Sequence, residues 1–234
     1  MKDRPAGKRT SGPPKRILVL DDHPMTRHGV TQRLNLEPGF VVCGEVGTAK
    51  AALAAVQTDP PDLVLVDLTL GDRSGLDLLK DLHALYPTLP LLVFSMHYET
   101  LYAERVLRAG GRGYIMKSEG AAKLVDAIRR VLRGEIYLSE GMRDRALKRF
   151  AGRPAEASPG NMGILSDREL EIFGLIGQGI GTREIARHLN VAMSTVETHR
   201  AHLKEKLNLR TASELVRAAV EWAGRESRGY GEHR

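Results

Sequence analysis

A repeated change of residue period constrains this chain more than anything else in it. Five short apolar runs, at 17–20, 40–43, 63–66, 91–94 and 113–116, are β-branched or aromatic enough for buried strands. Helix-like stretches at 25–36, 49–57, 75–86 and 100–109 lie between them, and another at 121–132 follows the last. Strands alternating with helices in this way predict a parallel sheet with helices on both faces. Right-handed crossovers then lead to an α/β doubly wound, five-stranded, flavodoxin-like sheet. Such folds place their sites at the carboxyl ends of the strands, where the strand order reverses.

From Ser166 onward the period changes to helix throughout. Ser166 and Glu169 have the spacing of a capping box, and Gly177-Gln178-Gly179 ends the helix they open. A short helix over 182–189 and a turn at Asn190-Val191-Ala192 come next. A helix over 194–207 follows, with Ser194 as its expected N-cap and Glu197 completing a second box, and then a fourth over 212–222. Two short helices joined by a tight turn form a helix-turn-helix pattern, so a small all-α domain is expected after the sheet domain. The chain therefore divides into a basic tail at 1–14, a sheet domain at 15–138, a linker at 139–163 and a helical domain at 164–223. The linker begins with a basic helix over 139–150 and continues as AGRPAEASPGNMG; a disordered tail is expected at 224–234.

Composition narrows the class further. No apolar run approaches the ~20 residues needed to span a bilayer, and the N-terminus lacks the apolar segment of a signal peptide. A single cysteine, Cys43, excludes an intrachain disulfide and a cysteine-based zinc site, so a cytoplasmic protein without a membrane partner is expected. The net charge of +6 favours polyanions only weakly, because acidic and basic residues balance between 164 and 223.

The chemistry gathers at the strand ends. Asp21 and Asp22 follow the first strand, Asp67 ends the third, Ser95 ends the fourth and Lys117 follows the fifth. Three carboxylates brought to one edge repel each other unless a cation joins them, and an all-oxygen site suits Mg²⁺. Lys117 and Ser95 supply a charge and a hydroxyl for phosphoryl oxygens, which makes Asp67 a nucleophile toward phosphorus. Taken singly, each Asp is an ordinary turn or helix cap; five suitable residues after four strands are the argument for a site.

The motifs LVLDDHPMTRHGV, LVLVDLTL, LLVFSMH and GYIMKSE resemble those of receiver domains over residues 15–134. LSDRELEIFGLIGQG, TREIARHLNVAMSTVETHRAHLKEKLNL and RTASELVRAAVEW resemble the LuxR-type helix-turn-helix domain over 164–222. The combined arrangement is similar to NarL/FixJ-type two-component response regulators. That resemblance implies a transcription factor rather than an enzyme, phosphorylated on Asp67 by a sensor histidine kinase. It implies Mg²⁺ held by Asp21, Asp22, Asp67 and the backbone carbonyl of Thr69, and a switch in which Ser95 and Tyr114 move together beside Lys117. Gly71 and Asp72 depart from the usual Pro-Gly after the phosphorylated residue. It further implies DNA as a partner, with homodimerisation, and RNA polymerase as an additional contact.

The helix over 194–207 is the recognition candidate. Val196, His199, Leu203 and Leu207 should face the core, with no metal partner near His199. Ser194, Thr195, Glu197, Thr198, Arg200, Ala201, His202 and Lys204, with Thr182 and Arg183 of the preceding helix, are the expected DNA contacts. Glu197 has two readings, a cap for Ser194 or a base contact. Leu215, Ala219 and Trp222 are expected to form an apolar dimerisation stripe, unless Trp222 covers its own domain's core. An aspartate-nucleophile phosphatase is the competing class, but Thr69 stands where that class has its second acid.

Overall fold

The computed structural model describes residues 12–71, 73–151 and 162–229. The expected basic tail before residue 12, Asp72, the centre of the linker and residues 230–234 lie outside the described residues. The first domain runs β1 (Lys15–Leu20), α1 (Pro24–Asn35), β2 (Phe40–Val46), α2 (Ala49–Thr58), β3 (Leu63–Val66), α3 (Gly75–Leu85), β4 (Leu91–Ser95), α4 (Glu99–Arg108), β5 (Gly113–Met116) and α5 (Ala121–Leu132). All strand pairs are parallel and the order is β2-β1-β3-β4-β5, so the reversal falls between β1 and β3.

Successive strand residues serve opposite faces of the sheet. Ile17, Val19, Leu63, Leu65, Leu92 and Ile115 pack under α1 and α5 against Leu34, Leu124, Ile128 and Val131. Leu18, Leu20, Val64, Val66, Leu91, Val93 and Tyr114 pack on the other side against α2, α3 and α4. Each such buried aliphatic side chain contributes ~1.5–3 kcal/mol relative to exposure. β2 runs three residues past its expected end. A register shift opposite Ile17/Leu18 passes over Cys43, and Gly44 keeps the strand close to Leu18, whose Cδ1 lies 2.9 Å from where a Cβ would stand.

α6 (Glu140–Phe150) occupies the first part of the linker. The second domain comprises α7 (Asp167–Gly177), α8 (Thr182–His188), α9 (Met193–Lys206) and α10 (Ala212–Gly229). Ser166 caps α7 as its spacing predicts: its side chain accepts from the Glu169 amide while Glu169 accepts from the Ser166 amide. The second expected capping box does not form. Asn190 takes φ +48° and the Val191 amide turns back to Ala186, so the N-cap of α9 falls two residues early, at Ala192, with no side-chain cap. The expected tail from Gly224 is also corrected, since α10 continues to Gly229 through Arg225, Glu226 and Arg228, all good helix formers.

Candidate functional site

The loops after β1, β3, β4 and β5 open on one edge of the sheet, and the reversal of strand order places Asp21 beside Asp67. Backbone bonds fix both: the Asp21 amide donates to Val46 and the Asp67 amide to Leu20. Each carboxylate is only 3% exposed. Lys117 reaches across from β5 and donates to Asp21 Oδ2 at 2.6 Å and to Asp67 Oδ2 at 2.7 Å. Burial pushes the Asp67 pKa up to about 6, against the pull of the Lys117 ammonium. Burial works against the charge on Lys117, but Asp67 and Asp21 together raise its pKa. A fixed cation thus bridges two acids and offsets only part of the charge that Asp21, Asp22 and Asp67 bring together.

One ligand atom each from Asp21, Asp22, His23 and Asp67 lies within 4.8 Å of the others. Asp22 Oδ1 is buried without a hydrogen-bond partner among the described residues, although His23 Nδ1 approaches it at 2.6 Å. Three carboxylates facing one point, with Asp22 Oδ1 met only by the His23 ring, suit a hard divalent cation. His23 was not anticipated from the sequence; its place directly after the acidic pair was the available signal.

The remaining strand-end residues form a second layer. Ser95 is fully buried and its Oγ accepts from the His97 amide at 3.4 Å. His97 Nε2 lies 2.9 Å from Thr69 Oγ1, and the His97 carbonyl accepts from the Tyr114 hydroxyl at 2.8 Å. Thr69 also donates its amide to Asp67 Oδ1 at 3.3 Å. A chain of contacts therefore runs from Asp67 through Thr69 and His97 to Tyr114 at the base of α4. Burial lowers the His97 pKa to about 4, so the imidazole is neutral around pH 7. Sequence reasoning missed His97, and it also missed Gly75. A Cβ at Gly75 would stand 2.5 Å from Leu68 Cα and 2.6 Å from the Asp67 carbonyl oxygen, so α3 can start this close to the Asp67 loop only with glycine there.

The helical domain sits against this edge. Arg105 of α4 donates to Asp167 Oδ1 at 2.6 Å, to the Leu165 carbonyl at 2.7 Å and to the Met162 carbonyl at 3.1 Å. Lys80 of α3 adds a 3.2 Å contact to Asp167. Trp222 packs edge-on to Tyr98 at 5.6 Å, and the His188 ring lies 6.0 Å from His23.

On α9, Val196 and Leu203 are buried while His199 and Leu207 are half-buried. Ser194, Thr195, Glu197, Thr198, Ala201 and His202 are exposed on one side, as is Arg183 at the start of α8; Thr182 and Lys204 are half-buried. The Arg200 side chain is only 14% exposed, 3.8 Å from Glu197, which is free of the expected cap and 60% exposed. His199 has neighbours that its own helix did not reveal: Glu169, thirty positions earlier, and His202 bring ligand atoms within 4.8 Å. The expected exposed stripe on α10 is corrected. Leu215, Ala219 and Trp222 are 0%, 0% and 3% exposed. Ala219 is pressed against Gly177, where a Cβ would stand 2.6 Å from its carbonyl, and Trp222 lies on Phe173. Among the described residues of that helix, the exposed large apolar side chains are Val216 and Val220.

An acidic pocket with a buried lysine at the switch point of a five-stranded parallel sheet, followed by a helix-turn-helix unit, defines a receiver joined to a nucleic-acid-binding module. Comparison with known proteins gives the same division. Residues 17–129 match the response regulator receiver domain, and residues 163–219 match the bacterial regulatory proteins of the luxR family. The oxygen regulatory protein NreC of Staphylococcus carnosus (strain TM300) is 34% identical over 209 residues, covering 88% of this chain and 96% of that protein. A two-component response regulator of the LuxR family from Aurantimonas sp. SI85-9A1 aligns with TM-score 0.55 at 30% identity, covering 59% of this chain and 99% of its own. RcsB from Salmonella enterica serovar Typhimurium, solved bound to promoter P1flhDC with the phosphomimetic BeF₃⁻, shares the fold with TM-score 0.61 at 22% identity, covering 88% and 98%. This chain belongs to the response regulators that couple a receiver to a LuxR-type helix-turn-helix domain. Among the described residues, no helix is long and apolar enough to cross a membrane.

Proposed function

We propose that this regulator takes a phosphoryl group on Asp67 from a sensor histidine kinase and controls transcription by binding DNA through α9. The observation that carries the reading is the pairing of Asp67 with Lys117 at 2.7 Å inside a cluster whose remaining oxygens are arranged for a cation. Asp21, Asp22 and Asp67, with the Thr69 carbonyl, would hold Mg²⁺, which when bound supplies positive charge against phosphoryl oxygens.

The chain's own residues do the rest. Burial and the bond from the Thr69 amide hold the Asp67 carboxylate in one orientation for in-line attack on phosphorus. The Lys117 ammonium leaves its two carboxylate partners to take one oxygen of the phosphoryl group, whose three oxygens together carry about −1.5 to −2 charge. Ser95 offers its hydroxyl to another oxygen, and that draws on the His97 amide it now accepts from. The Thr69–His97–Tyr114 chain then transmits the change to α4, whose Arg105 holds the helical domain. Phosphorylation thus shifts an existing equilibrium between clasped and released domains.

Glu197, Thr198, Ala201 and His202 would meet base edges from α9, and Ser194, Thr195, Thr182, Arg183 and Lys204 would meet phosphates, joined by Arg200 once its largely covered side chain swings out from Glu197. Pairing of two copies through α10 falls to Val216 and Val220 rather than to the residues buried beneath them. The same architecture favours a cytoplasmic regulator over a phosphatase: Thr69, two residues after Asp67, is bound to His97 instead of supplying an acid. Genome-wide DNA occupancy of wild type and Asp67→Asn tests the reading. Phosphorylation-dependent sites lost in the variant support it, and identical maps overturn it.

A further inference from the structure

We propose that Glu169, His199 and His202 form a site for a divalent transition-metal ion of the Zn²⁺ class, tying α7 to α9. The residues come from separate parts of the chain. Glu169 stands in the first turn of α7, and His199 and His202 lie three residues apart on α9, on neighbouring positions of one helical face. One ligand atom from each lies within 4.8 Å of the other two, with His202 Nδ1 3.8 Å from Glu169 Oε1. The two imidazole rings stand at 90°, their centroids 6.4 Å apart.

Two further observations favour a ligand. His199 Nδ1 is buried and has no hydrogen-bond partner among the described residues, a position that packing alone leaves unused. The Ser166 amide and Lys206 Nζ both bond Glu169 at Oε2, each at 2.7 Å, while Oε1 is the oxygen turned toward His202. Glu169 therefore keeps its capping role and can still offer its second oxygen.

The donor set decides the ion. Two imidazoles and one carboxylate suit Zn²⁺, Ni²⁺ or Cu²⁺, whereas Mg²⁺ prefers oxygen alone. The Lys206 ammonium beside Glu169 repels any cation, so binding needs the strong nitrogen donors. His202 is exposed by half, leaving the fourth position open to water. Because His202 also lies on the side of α9 that carries the base-facing residues, an occupied site adds charge there. The proposal does not depend on phosphorylation of Asp67.

Co²⁺ serves as the probe, since nitrogen-ligated Co²⁺ absorbs in the visible and takes tetrahedral sites like Zn²⁺. The full chain is titrated as wild type, as His202→Ala and as Asp22→Asn, the last because the Asp21, Asp22, His23 and Asp67 cluster is the other group in the described residues that could take a metal. Far-UV circular dichroism checks the fold of each variant. The expected result is one saturable binding event with visible bands, kept in Asp22→Asn and weakened at least tenfold in His202→Ala, with Zn²⁺ displacing Co²⁺ and Mg²⁺ failing to do so. Equal binding by wild type and His202→Ala, loss of the event in Asp22→Asn, or no Co²⁺ uptake by wild type would each overturn the proposal.

Discussion

Removing Arg105 should open the molecule without unfolding either domain. Its guanidinium makes three contacts across the boundary, to the Asp167 carboxylate and to two backbone carbonyls, and both charged side chains are about one-fifth exposed, at 20% and 22%. A hydrogen bond to a charged group contributes ~1.5–3 kcal/mol, less where water screens it. The three are not additive, so the set is worth roughly 2–3 kcal/mol. That corresponds to about a 30- to 150-fold rise in the ratio of open to clasped molecules. Lys80 is 54% exposed and its contact to Asp167 is longer, so Lys80→Ala should have a far smaller effect. The chain carries its own reporter: Trp222 is the single tryptophan, 3% exposed and packed on Tyr98 across the boundary. Acrylamide quenching of Trp222 should increase in Arg105→Ala, increase more in Arg105→Glu, and return toward wild type in Arg105→Glu combined with Asp167→Arg. Unchanged quenching in both single variants, or no rescue by the paired charge reversal, would refute the clasp.

Three further outcomes follow from the same geometry. Tyr114→Phe removes the donor to the His97 carbonyl and should cost about 1–2 kcal/mol of receiver stability in urea melts, while leaving acetyl-phosphate labelling intact and weakening its effect on Trp222 quenching. Gly75→Ala forces a Cβ into the Leu68 and Asp67 backbone and should lower both receiver stability, by more than about 2 kcal/mol, and the labelling rate. Burial raises the Glu171 pKa above its ordinary 4.5 despite the nearby Arg168, so the folded protein holds that proton more tightly than the unfolded chain. Its contribution to stability is full below about 4.5 and falls as pH rises through the raised folded value; calorimetry should show Glu171→Gln flattening this decline.

The sheet was legible because each strand is short, apolar and bounded by turn residues, so period alone separated it from the helices. The acidic cluster was legible for a related reason: residues directly after parallel strands must share one edge. Legibility failed where the answer depends on partners from distant segments. Ser194 and Glu197 have the spacing of a capping box, yet after the left-handed Asn190 the helix is capped two residues sooner, at Ala192. Leu215, Ala219 and Trp222 look like a surface stripe on an isolated helix, and only the presence of α7 shows them to be core. The capping box of Ser166, by contrast, is wholly local and forms as its spacing predicts. His97 and Arg105 carried no local signal, since each owes its role to a contact with a different loop or domain.

One covalent event drives the switch. Intact-mass and peptide mass spectrometry after incubation with acetyl phosphate and Mg²⁺ measures it directly. Wild type should gain the mass of a single phosphoryl group, located on the peptide that contains Asp67, and Asp67→Asn should gain none. An equal mass gain in Asp67→Asn, or none in wild type, would contradict the assignment of Asp67 as the phosphoryl acceptor.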